Sequence, residues 1–288
     1  MRTQVGRPLL IIAGGAAIAI ALILAGRTAT SAQVLASSQF PRTSWDRKPD
    51  FNGIWQAIGS ANWDLEDHGG AASPILVAGV WLAVEPGLSV VEGGTIPYKP
   101  EALAKREENR KNAAPGRTGR FTTADPEYNC WLPGVPRATY LGKPFEIFQG
   151  PNRMWIVYEY SYARREIFMN GKEEAPIESW MGWSNARWEG DTLVVDVTGL
   201  MDTTWFDRAG NYHSDALHVI ERYSPIDATH INYEATIEDP NIFTRPWKIT
   251  FPLYKRIEKN LRLLEFKCPE YVEELFWGEY RKSPAVLK

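Results

Sequence analysis

From residue 145 to residue 268 the chain is a succession of short alternating segments punctuated by turn residues. That pattern restricts the fold more than any other feature. In His230–Glu238, Ile231, Tyr233, Ala235 and Ile237 alternate with Asn232, Glu234, Thr236 and Glu238. A period of two places one face in a core and the other in water, as in an antiparallel sheet. Phe145–Gln149, Arg153–Tyr160 and Arg164–Met169 read as strands, the first two split by Gly150-Pro151-Asn152. Asn185–Trp188 and Thr192–Thr198 flank Glu189-Gly190-Asp191, a loop of hairpin type. Ala216–Tyr223, Trp247–Tyr254 and Leu261–Lys267 complete the series. Eight or nine strands at hairpin spacing predict an all-β fold: an antiparallel meander closed into a barrel, with peripheral helices and long loops. Closure removes the exposed edges that so long a meander would carry.

Two helices are expected outside the barrel. Glu101–Asn112 follows Pro100, is stopped by Pro115-Gly116, and is charged nearly all round, which suits a surface position. Pro269–Tyr280 carries acids in its first turns, where the helix dipole favours them. No seam rich in Ser, Gly or Pro divides residues 51–288, so they read as a single barrel domain. Residues 33–50, polar and proline-containing, read as a linker. Residues 1–32 read as an export signal: Arg2 and Arg7, an uncharged stretch from Pro8 to Gly26, then Ala29, Thr30, Ser31 and Ala32. The apolar run also has the length of a membrane span, so an uncleaved anchor is the alternative. Either way the rest of the chain is expected in the periplasm or secreted. With export, the chain's two cysteines, Cys130 and Cys268, are expected to form a disulfide. A net charge of −3 carries no basic field, which argues against a nucleic-acid partner. Any membrane association is expected only through the N-terminal segment.

The segments PDFNGIW (49–55), DPEYNCWLPGVPRATY (125–140), WSNARWEGDTLVVDV (183–197) and DRAGNYHSDALHVIERY (207–223) resemble a largely uncharacterised family of exported bacterial proteins. That resemblance spans nearly all of the chain beyond residue 48 and implies no particular activity. Gly53-Ile54-Trp55 is also similar to the G-x-W that opens lipocalin-like barrels. The chain is longer than those barrels and has long insertions between residues 57 and 144. This second resemblance implies a cup with an interior cavity for a small, mostly apolar molecule. Barrels of that type include both carriers and enzymes, so the fold does not choose between them.

Chemistry concentrates between Asp202 and Arg222. Four histidines occur in the chain, His68, His213, His218 and His230, and two of them lie here with Trp205, Asp207, Arg208, Glu221 and Arg222. Such a set offers general acids, bases and a cation for developing charge. The catalytic candidates are therefore His218, His213, Asp207, Glu221, Arg208 and Arg222. On Ala216–Tyr223 one face bears His218 and Arg222 and the other Glu221, so whichever face turns inward buries an ionisable group. Asp64, Glu66 and His68 form a second cluster, expected as a rim over the same mouth. With Trp205, Tyr158 and Arg245 they are the substrate-binding candidates. No metal-ligand pair such as H-x-H or H-E-x-x-H occurs, and neither a G-x-S-x-G elbow, a Walker loop nor a G-x-G-x-x-G loop is present. The expected function is an exported, cofactor-independent lyase or isomerase acting by acid–base catalysis on a small hydrophobic or polycyclic molecule. The alternative is a non-catalytic carrier of such a ligand.

Overall fold

A short first strand, β1 (Gly53–Ala57), closes the sheet. The computed structural model describes residues 39–72, 83–113 and 124–266. A two-stranded ribbon, β2 (Ala71–Ala72) with β3 (Ala83–Val84), and helix α1 (Pro100–Asn112) follow. Next come a single 3₁₀ turn at Pro126–Asn129 and the short helix α2 (Arg137–Tyr140). The remaining barrel strands are β4 (Phe145–Gln149), β5 (Arg153–Tyr158), β6 (Arg164–Met169), β7 (Trp183–Glu189), β8 (Thr192–Thr198), β9 (His218–Asp227), β10 (His230–Glu238) and β11 (Trp247–Lys255). The spatial order is β1-β11-β10-β9-β8-β7-β6-β5-β4, and β1 pairs with β11 on one side and β4 on the other. The barrel is thus closed, as the strand spacing predicts.

Two expectations about the sheet are corrected. The barrel is mixed rather than wholly antiparallel, because β6 and β7 run parallel, with Ile167 opposite Ser184 and Met169 opposite Ala186. Residues 170–182 cross back before β7 begins, where a hairpin would have reversed the chain. Leu261–Phe266 forms no strand. Both edges of β11 are already taken, by β10 and by β1, so no ladder remains for a further strand. The expected helix Pro269–Tyr280, the expected export segment and Cys268, hence the Cys130–Cys268 bridge, lie outside the described residues. The stretch 39–50, expected as a linker, lies against the barrel: Phe40 is buried against Phe51 and Trp55, and Arg42 pairs with Asp191 at 2.6 Å.

The alternation of β9, β10 and β11 aims Val219, Glu221 and Tyr223, Ile231, Tyr233, Ala235 and Ile237, and Trp247, Ile249 and Leu253 into the barrel. Trp55, Phe145, Ile147, Ile156, Tyr158 and Ile167 meet them from the other wall. All of these side chains have essentially no water-accessible area. A void the size of a water molecule would leave exposed surface on its lining. The interior is therefore a packed core, and the expected hollow cup is corrected. Large aromatic residues fill what a lipocalin-like cup would leave open; Tyr233 is in ring contact with both Tyr223 and Phe251.

Candidate functional site

The barrel wall is interrupted where β1 ends. Ala57 is the last β1 residue paired to β11, at Leu253. Farther along β11 a different segment takes over the edge: Val91 bridges Ile249, the Thr250 N–H donates to Val90 O at 3.0 Å, and the Glu92 N–H donates to Lys248 O at 2.9 Å. Between the two lies a gap at Phe251 and Pro252. Proline has no N–H to offer a partner strand there. The gap opens into a cleft of about 820 Å³, lined by residues 56–61 and 85–90, Tyr140, Gly142, Thr250, Phe251, Pro252 and Tyr254. Its size is that of a small-molecule site. Ile58 and Leu88 stand at its edge with 70% and 88% of their surface in water. The Tyr140 phenol donates to Phe206 O at 2.8 Å, and its ring meets Phe251 edge-on.

Behind the cleft the two sequence-predicted clusters do meet. His68 and Gly87 exchange backbone hydrogen bonds at 3.0 Å, and the Val90 N–H donates to Leu65 O, so residues 65–68 line up beside 87–90. The Leu65 N–H in turn donates to Asp207 Oδ2 at 2.9 Å, and the Arg208 N–H to Asn62 O at 3.0 Å. Asp207 is fully buried and accepts three more N–H bonds, from Ala209, the Asn211 backbone and Asn211 Nδ2. Burial, and after it the charge of Asp64, push the Asp207 carboxyl up to about 7 against the pull of those donors and of Arg137. Asp64 is raised as well, chiefly by its own burial. Glu66 holds Arg106 of α1 at 2.7 Å and accepts the Ile96 N–H.

The other predicted residues are dispersed. Of the two faces of β9, the one bearing Glu221, not the one bearing His218, turns into the barrel. Glu221 is paired with Arg165 and accepts the Tyr233 and Tyr223 hydroxyls at 2.7 and 3.1 Å. Tyr158 is buried in the same interior. His218 lies on the outer wall between Asp196 and Glu238, at 3.0 and 3.1 Å, and Arg222 lies there against Glu189. His213 is buried against the ring of Phe206, with Nε2 on the Thr204 hydroxyl at 2.6 Å and Nδ1 on Ser214 O at 2.8 Å. Burial lowers its pKa. Trp205 bridges Tyr212 and is nearly buried, whereas Arg245 is exposed and donates to Pro246 O.

Sequence reasoning missed a buried ionic cluster at this end of the barrel. Arg137 of α2 grips Asp125 with two bonds, at 2.8 and 2.7 Å, and reaches Glu127 at 3.0 Å. Glu127 in turn holds Arg208 at 2.6 and 2.7 Å, and Arg208 lies 4.1 Å from the Trp63 ring centroid. The available signal was an arginine inside the otherwise uncharged run Trp131–Leu141. Among the described residues no group of three or more His, Cys, Asp or Glu side chains is placed to hold a metal ion. No described helix is long and apolar enough to cross a membrane. No family model, no curated protein and no solved structure matches this chain.

Proposed function

We propose that the protein is an exported binding protein that holds a small, mainly apolar molecule in the cleft beside β1. The observation that carries this reading is the cleft itself. It is open, of ligand size, edged by exposed Ile58 and Leu88, and floored by aromatic rings, while the barrel interior has no room. Export rests on the N-terminal sequence. Kinship with lipocalin-like barrels is supported by closure of the sheet and by Trp55 opening it from the core. The filled interior and the parallel β6–β7 pair depart from that pattern.

The acid–base alternative draws its support from one place, the raised carboxyl of Asp207 beside Asp64. Against it, both Asp207 oxygens are occupied by N–H donors, and His213, His218 and Glu221 each serve a separate local structure.

The test uses the uncharged fluorescent probe N-phenyl-1-naphthylamine with the intact protein and with the double variant Ile58→Asp, Leu88→Asp. Both positions are exposed, so the variant keeps its fold. The expected result is probe fluorescence that apolar terpenoid, phenolic or acyl compounds displace, and that the variant loses. Equal probe binding by both proteins, or none by either, would overturn the proposal. Product formation from any of these compounds, abolished by Asp207→Asn, would move the assignment to the enzyme reading.

A further inference from the structure

Behind the cleft wall, one histidine nitrogen has no hydrogen-bond partner among the described residues. His68 Nδ1 lies 2.9 Å from Glu66 O. A carbonyl oxygen only accepts, so Nδ1 carries the proton and Nε2 presents a bare lone pair. That Nε2 is buried and has no hydrogen-bond partner among the described residues. Leaving a buried acceptor unpaired costs on the order of 1–3 kcal/mol, so the surroundings should supply a donor.

The donor at hand is Ser60. A Cβ added to Gly87 would lie 2.0 Å from Ser60 Oγ, 2.6 Å from His68 Cε1 and 3.0 Å from His68 Nε2, so the Ser60 hydroxyl and the His68 ring face the same point of the Gly87 backbone without being hydrogen-bonded to each other. Ser60 and Gly87 both line the cleft. A serine hydroxyl has one proton and two lone pairs. Turning the Ser60 hydroxyl toward His68 Nε2 would give that nitrogen its donor and leave Ser60 only lone pairs to present to the cleft. Among the described residues, the one formally charged side chain in the lining is Glu85. A lone-pair acceptor and a carboxylate together favour a neutral ligand that donates a hydrogen bond, and disfavour an anionic one.

We infer that Ser60, backed by His68, is the polar anchor of the cleft and that the ligand is an apolar molecule bearing a hydroxyl group, an alcohol or a phenol. This inference rests on the proposed binding function and narrows it. It is tested by displacement of the same fluorescent probe with three compounds of one skeleton: 4-hexylphenol, 4-hexylanisole and 4-hexylbenzoate. For the wild-type protein the phenol should displace the probe at about fivefold lower concentration than the anisole, the gain of one ligand hydrogen bond. The benzoate should be the weakest of the three.

In Ser60→Ala the phenol should fall to the level of the anisole while the anisole is unchanged. Failure of all three compounds to displace the probe would overturn the binding function and this inference with it. Displacement without preference for the phenol, or a preference that survives Ser60→Ala, would overturn the hydroxyl anchor alone and leave the cleft as a purely apolar site.

Discussion

At the scale of single residues, the two buried carboxylates Glu221 and Asp207 have different neighbours, and each calls for its own test. Glu221 has a cation: Arg165 pairs with it, and Arg165 Nε also donates to Ser184 Oγ at 2.8 Å. Removing one partner strands the other charge in a solid core, at a cost of about 3–5 kcal/mol. Arg165→Met and Glu221→Leu should each lose that much by urea unfolding, and the double variant should lose far less than the two together. Additive losses would mean the pair is not coupled. Asp207 has mainly amide donors and a like charge nearby, so its carboxyl sits near 7 rather than at the ordinary 3.8. The folded state then holds a proton that the unfolded chain releases. Its contribution to stability is complete below pH 3.8 and is lost as pH rises through 7. The stability of wild type relative to Asp207→Asn should therefore fall between pH 4 and 7 and level off above, a swing on the order of 2–4 kcal/mol. His213, lowered by burial, acts with the reverse sign, losing stability as pH falls below 6.5, but it is present in both proteins and drops out of the difference. A difference that stays flat with pH would place Asp207 at its ordinary value.

At the scale of elements, what could be read from the sequence is what local period encodes. The alternation of His230–Glu238 placed β10, and Glu189-Gly190-Asp191 placed the β7–β8 hairpin, because side-chain direction and turn chemistry are local properties. Asn62 and Leu65 do pack on Arg208 and Asp207, but the open mouth that both polar clusters are expected to rim is filled. The parallel β6–β7 pair was not legible: nothing in residues 170–182 marks a crossover, since no helix of distinct period spans them. Nor was the partner of Glu221. On β6 the pleat puts Arg165 on one face with Ile167 and Arg164 on the other with Glu166 and Phe168, but only the folded sheet shows that the Arg165 face turns inward. The cleft was illegible for the same reason. It exists because β1 stops at Ala57 and residues 90–92 continue its ladder along β11, a junction of segments some thirty residues apart.

At the scale of the whole molecule, the decisive property is that a closed barrel of this strand number has been filled rather than left open. Aromatic residues on β9, β10 and β11 and the buried Arg165–Glu221 pair occupy the axis, so any ligand must be held at the wall, where the sheet is incomplete. This has a mechanical consequence that separates a solid barrel from a cup. Ala235 sits inside, opposite Glu221 on β9 and Ile249 on β11, with no accessible surface. In a hollow barrel a larger apolar side chain there would project into the cavity at little cost and shrink the ligand space. In a filled one it must push neighbours off their rotamers, at about 1–3 kcal/mol. Ala235→Leu should therefore lower the urea midpoint while leaving probe binding at the Ile58–Leu88 cleft unchanged. An Ala235→Leu protein as stable as wild type, with weakened probe binding, would put the ligand back inside the barrel and remove the reason for seeking it at the gap beside β1.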